Sequence, residues 1–187
     1  MYLPVLISVF AFSMIPGVFA SVEEDILNEH NRLRRLHRSP DLQLVPYVPD
    51  QVHSAANNIT EEDKEPPYVR DFPLSVCKTL GDPVKCVQQW YDGVKDYDFD
   101  NPGFSDETKY FTALIWKASN HVAVLTKTNQ ISKNKYVFAF YHPLGNIDGK
   151  FKENVPRLNG SPLSVNLFQI NIGIVLLCSW FINKMLA

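Results

Sequence analysis

Trp90-Tyr91-Asp92-Gly93-Val94-Lys95-Asp96-Tyr97-Asp98-Phe99, followed at once by Asp100-Asn101-Pro102-Gly103-Phe104, is the stretch on which the reading of this chain turns. Its first half closes a helix that the spacing predicts from about Asp82 to Tyr97. Pro83 falls in the first turn, where a missing N–H does no harm, and Val84, Val87, Trp90, Tyr91 and Val94 form one apolar stripe. Gly93 interrupts the helix. A glycine there costs about 1 kcal/mol relative to alanine and so asks for a reason. The second half is an aromatic loop containing proline and glycine, with Tyr97, Phe99 and Phe104 as its rings.

Working outward, Tyr110 to Trp116 fits helix or strand by composition. Beyond it, Val122-Ala123-Val124-Leu125-Thr126 and Tyr136-Val137-Phe138-Ala139-Phe140-Tyr141 are β-branched or aromatic and are joined by a polar turn region from Asn129 to Lys135, the signal of a β-hairpin. Towards the N-terminus, residues 23–38 read as a helix with Ile26, His30, Leu33 and His37 on one face, opposite a strip of Glu and Arg, and Ser39-Pro40 ends it. On that face the two histidines read as boundary packing rather than ligands. Between Asp41 and Phe72 the prolines at 40, 46, 49, 66 and 67 leave a poor signal. A short helix from Asp50, as N-cap, to Asn58 is expected there, then a solvated loop at Glu61-Glu62-Asp63-Lys64-Glu65. Helices followed by a hairpin, without strand–helix alternation, point to an α+β fold with an antiparallel sheet.

Both ends of the chain are apolar. Leu3 to Phe19 is uncharged, and Val18-Phe19-Ala20 places a small residue before Ser21, as in a cleavable signal peptide over residues 1–20. The C-terminal tail, residues 159–187, holds the apolar run from Leu163, with Lys184 as its only charge. Its length is about that needed for 30 Å of hydrocarbon, though Asn166, Gln169, Asn171 and Asn183 interrupt it. It reads either as a signal for glycolipid attachment after the small residues Asn159-Gly160-Ser161 or as a transmembrane segment. One domain, residues 21–158, remains between these runs. With 45% hydrophobic, 20% charged and 12% aromatic residues and a net charge of −2, the chain is globular and lacks the basic field that draws proteins onto nucleic acid.

In an oxidising lumen Cys77 and Cys86 could close a small loop whose reversal is Gly81-Asp82-Pro83, with two free thiols as the alternative. No second cysteine pair or spaced histidine pair accompanies them, so a zinc site there is not expected. Two sequons, at Asn58 and Asn159, make these residues glycosylation candidates.

The aromatic stretch Trp90 to Phe104, then Tyr110-Phe111-Thr112-Ala113-Leu114-Ile115-Trp116-Lys117, then Tyr141-His142-Pro143-Leu144-Gly145-Asn146-Ile147, resembles the CAP family (cysteine-rich secretory, antigen 5, pathogenesis-related 1) in order and spacing. The ending Phe151-Lys152-Glu153-Asn154-Val155-Pro156 and the Pro-Gly-Phe loop are most similar to the branch of the Golgi-associated plant pathogenesis-related protein 1. The resemblance is strong over Val84 to Pro156, weaker over Ile26 to His37, where His30-Asn31 matches, and not traceable between Asp41 and Cys77. It implies a three-layer α-β-α sandwich around a central antiparallel sheet.

Members of that family commonly set two His and two Glu around a cleft, where they can hold a divalent metal. Here the matching positions carry Tyr110 for a histidine and Gly93 for a glutamate. A phenol stays protonated at neutral pH and glycine offers no donor, so no metal, cofactor or metal-dependent hydrolysis is expected at that cleft. Nor does the chain carry Gly-x-Ser-x-Gly or a marked nucleophilic cysteine. The expectation is a secreted or surface-anchored protein without enzymatic activity. It would act on an unidentified protein partner outside the cell, with the membrane reached through the C-terminal tail. In related proteins an equivalent loop is implicated in lipid binding, so the alternative is a sterol or lipid carrier using Tyr97, Phe99 and Phe104.

Overall fold

Ser21 opens the first helix by accepting the Glu24 N–H on its hydroxyl, and Glu23, Glu24 and Asp25 place negative charge where the helix dipole favours it. In this computed structural model, which describes residues 21–64 and 73–158, that helix is α1, Val22–Leu36. There follow β1 (Gln43–Leu44), α2 (Asp50–Glu62), β2 (Leu74–Thr79) and α3 (Lys85–Tyr91). A 3-10 turn (Asp92–Lys95) leads to α4 (Lys109–Ile115), β3 (His121–Thr128), β4 (Lys135–His142) and α5 (Phe151–Asn154). Among the described residues no helix is long and apolar enough to cross a membrane.

The strands form one sheet in the order β1-β3-β4-β2. The hairpin pairs antiparallel from His121↔His142 to Thr128↔Lys135, and β2 pairs antiparallel with β4 from Leu74↔Phe140 to Thr79↔Lys135. The two-residue β1 is the exception to the expected antiparallel sheet, because it joins β3 in parallel. The period of two decides the layers. Val137, Ala139 and Tyr141 face the layer of α1, α3 and α4, packing with Ile26, Trp90 and Leu114. Their neighbours Tyr136, Phe138 and Phe140 face α2, packing with Val52, Ala56 and Ile59. The result is an α-β-α sandwich.

Three local expectations change. Asp50 is not the N-cap but the first residue of α2; Pro49 is the cap, and its carbonyl accepts from the N–H groups of Val52 and His53. The helix also runs four residues past Asn58, so Glu61 and Glu62 are helical. Asp63 then ends α2 in the left-handed conformation at φ 53° rather than lying in a solvated loop. Its carboxylate accepts the Tyr136 hydroxyl at 2.6 Å and the Asn134 amide at 3.0 Å, which pins the end of α2 to the start of β4. Those two bonds, the hydroxyl foremost, hold its pKa down to about 2. Finally, the helix expected to continue to Tyr97 tightens into the 3-10 turn after Tyr91.

Cys77 on β2 and Cys86 on α3 are joined, with sulfurs 2.04 Å and Cα atoms 5.7 Å apart. Next to this link the Trp90 indole N–H donates to the Val76 carbonyl at 3.1 Å. Opening so short a loop removes about 2–3 kcal/mol of stabilisation on the chain-entropy argument. A Cys77→Ala/Cys86→Ala variant should therefore melt about 10 °C lower in a calorimetric scan. An unchanged melting temperature would mean that α3 holds β2 without the link.

Candidate functional site

The cleft positions singled out by the sequence lie where the 3-10 turn meets the start of α4. Gly93 explains itself here: a Cβ built on it would lie 3.1 Å from the Glu107 carbonyl oxygen, 3.1 Å from the Phe111 Cβ and 3.4 Å from the Thr108 Cα. Two of those atoms are backbone and the third is fixed by α4, so none can swing away. The glycine is thus what lets α4 approach the turn this closely. Gly93→Ala should destabilise the protein by about 1–3 kcal/mol in urea unfolding, as overpacking of a fitted contact does. Equal or greater stability would show that α4 yields.

Tyr110 is half-buried against the main core, with the Lys109 ammonium 5.3 Å from its ring centroid. Among the described residues no group of three or more His, Cys, Asp or Glu side chains could hold a metal ion.

The loop rings turn inward to different degrees. Tyr97 is buried at 7% exposure, and burial pushes its hydroxyl up to about 12. Phe99 and Phe104 are half-buried and pack on the main core. Phe99 stacks on the His37 ring at 6.3 Å and meets Tyr97 edge-on at 4.9 Å, while the Arg157 guanidinium lies 5.5 Å from its centroid and pairs with Asp100. Beside this loop is a surface depression of about 260 Å³ lined by Asp96, Asp98, Asn101, Ser105 and Thr108 as well as Phe104. Its wall is largely polar.

His30 and His37 are not at the boundary but fully buried, each at 0% exposure. A carbonyl can only accept, so the Nδ1–H of His30 donates to Ile26 O at 2.8 Å and that of His37 to Pro156 O at 2.7 Å. Each Nε2 then accepts a tyrosine hydroxyl, from Tyr141 at 3.0 Å and Tyr91 at 2.9 Å. Both rings are neutral struts, His30 from α1 to β4 across the layers and His37 from the end of α1 to α3 within one layer, and burial lowers the pKa of each, that of His30 to about 4.

The later motifs are packing devices as well. Asn146 accepts the Thr112 hydroxyl at 2.6 Å and donates to the Lys109 carbonyl, holding α4. Gly145 sits so close to Trp116 that a Cβ would lie 3.2 Å from its ring. The Asn154 carboxamide oxygen accepts the Ala118 N–H at 3.0 Å. Of the glycosylation candidates, Asn58 is exposed on α2 and Asn159 lies outside the described residues, as do the two terminal runs.

With this architecture in view, the family model described as the CAP "Cysteine-rich secretory protein family" matches residues 27–141. The chain belongs to the CAP family. The CAP domain here is 28% identical over 143 residues to the Golgi-associated plant pathogenesis-related protein 1 of Homo sapiens, covering 70% of this chain and 90% of that one. It is 29% identical over 140 residues to Protein PRY2 of Saccharomyces cerevisiae, covering 71% of this chain but only 40% of the yeast protein. Among solved structures, the Hookworm Platelet Inhibitor superposes with a TM-score of 0.54 at 15% identity, over 69% of this chain and 72% of that one. At that identity the likeness concerns the fold.

Proposed function

We propose that this chain is a non-enzymatic CAP protein of the secretory pathway, released or held at the cell surface, that works by contact with another protein. The observation that carries the reading is Gly93. The position where relatives commonly hold a carboxylate carries a glycine whose Cβ would already be crowded at 3.1 Å by Glu107 and Phe111, and the neighbouring cleft position is a half-buried phenol. Metal-assisted hydrolysis needs about three protein ligands and an open position, and this cleft supplies neither of the two ligands in question. The apolar run ending at Ala20 supports entry into the secretory pathway, and the apolar run from Leu163 supports an anchor after the domain.

A second reading, a sterol carrier, draws on the half-buried Phe99 and Phe104 at the loop. Both are tested on a secreted chain of residues 21–161. A fluorescent sterol is titrated against it and against a Phe99→Ala/Phe104→Ala variant. In parallel the tetramerised protein is used to stain cells before and after surface proteolysis. Protease-sensitive staining without saturable sterol binding is the expected result. Saturable sterol binding that the double variant loses would replace the contact reading with the carrier one.

A further inference from the structure

On the sheet face opposite Gly93 and Tyr110, two further histidines meet. His121 opens β3 and His142 closes β4, and the two are directly paired in the antiparallel register. Directly opposed residues project to the same face with Cβ atoms about 4.5–5.5 Å apart. Both line one pocket of about 370 Å³, together with Val45, Tyr47, Pro49, Ala123 and Phe140. This is the α2 side, since Phe140 packs with the α2 cluster while Tyr141 faces the other layer.

Their chemistry sets these histidines apart from His30 and His37, whose ring nitrogens are all occupied. His121 is half-exposed, and its Nδ1 lies 2.6 Å from the Asn120 Oδ1. An amide oxygen can only accept, so Nδ1 carries a proton, which makes Nε2 the nitrogen left for an ion to take. Metal-binding histidines are commonly oriented by this kind of outer hydrogen bond. His142 is exposed, and its ring makes no hydrogen bond among the described residues.

We propose that His121 and His142 together bind a divalent transition-metal ion of the copper and zinc class. Two imidazoles about 4.5–5.5 Å apart at Cβ, as paired strands place them, can converge on one ion with nitrogen–metal distances of about 2.0–2.1 Å. The pocket lining contains no carboxylate, which disfavours calcium and magnesium and favours ions that prefer imidazole. Only two ligands come from the chain, so the remaining coordination positions open into the pocket between Tyr47 and Phe140, where water or a small donor molecule completes them. This site is independent of the function proposed above and uses neither cleft position.

The test is a titration of the full-length chain, purified in detergent, with Cu²⁺, followed by calorimetry and electron paramagnetic resonance, with Zn²⁺ as competitor and Ca²⁺ as control. The expected result is one Cu²⁺ per chain with nitrogen hyperfine splitting, displaced by Zn²⁺ only in large excess and indifferent to Ca²⁺. His121→Ala and His142→Ala should each weaken it about tenfold or more, while His53→Ala leaves it unchanged. Metal-free melting curves show whether each variant is folded. If His121→Ala is not, the exposed His142→Ala decides alone. Cu²⁺ held as tightly by His142→Ala as by the parent chain, or no saturable Cu²⁺ binding, would overturn the assignment.

Discussion

Arg34→Met should leave little folded protein, with a loss of about 4 kcal/mol or more in denaturant unfolding and a collapse of secreted yield. Arg34 is fully buried. Its Nε donates to the Pro40 carbonyl at 2.8 Å, Nη1 to those of Leu114 and Trp116 at 2.7 and 3.0 Å, and Nη2 to that of Ser119 at 2.7 Å. The Ser39 hydroxyl adds a bond to the Ile115 carbonyl at 2.6 Å. The carbonyls of Leu114, Ile115, Trp116 and Ser119 belong to the end of α4 and the turn after it, where a helix leaves acceptors without intrahelical partners and carries partial negative charge. The end of α1 therefore caps the end of α4. Burial draws the guanidinium down to about 10, which still leaves it charged at neutral pH.

Methionine fills much of the same volume but leaves the carbonyls of Pro40, Leu114 and Ser119 without this donor, each worth about 1–3 kcal/mol, while that of Trp116 keeps the Ser119 N–H. Lysine has three donors on one nitrogen and cannot span the same four oxygens, so Arg34→Lys should fall between the two. A methionine variant within about 1 kcal/mol of the parent would mean that water or a backbone shift replaces the guanidinium.

The second large effect is acid destabilisation set by the two buried histidines. In the unfolded chain each takes up a proton near pH 6.5, whereas burial holds His30 neutral down to about 4 and lowers His37 in the same direction. Below pH 6.5 the unfolded state therefore binds protons that the folded state does not, and stability falls as pH falls through the window between the two values. For His30 alone the loss from pH 7 to pH 4 is about 3 kcal/mol, and His37 adds to it. Asp63 contributes in a separate window: its support is present above the ordinary carboxylate range and is lost as pH drops towards 2.

Urea unfolding at intervals between pH 7 and pH 4.5 reads the slope, and His30→Gln, whatever its cost at neutral pH, should flatten it. A parent protein equally stable at both ends of that range would sink the argument.

The parts of the fold that could be read from the chain were those with local periodicity. The Ile26, His30, Leu33, His37 face buries one side of α1 only, so pattern and environment agree, whereas Tyr136 to Tyr141, packed on both sides, was legible from its β-branched and aromatic composition. β2 was not legible because Leu74, Ser75, Val76 and Cys77 are all buried, covered on both faces, and a buried serine breaks the expected alternation. Arg34 was hidden for another reason. It sits beside Arg35 in what reads as a polar strip, and three of its acceptors are 80 or more residues away. At the site, Gly93 and Tyr110 were visible as departures from a family pattern. That Gly93 is filled by the approach of Glu107 and Phe111 is a tertiary fact with no local signal.

The link between Cys77 and Cys86, with the neighbouring Trp90 to Val76 bond, also bears on how the sheet meets other chains. Among the described residues, β2 is one border of the sheet and the two-residue β1 the other. An open strand border is a template on which further strands can add, and short or covered borders resist this. β1 offers too little length to seed such growth. On β2, the indole engages a main-chain acceptor midway along the strand while the sulfur link clamps α3 over it. Both features stand in the way of strand-by-strand addition at this border, so crowding many copies together should favour it less than an uncovered strand of the same length would.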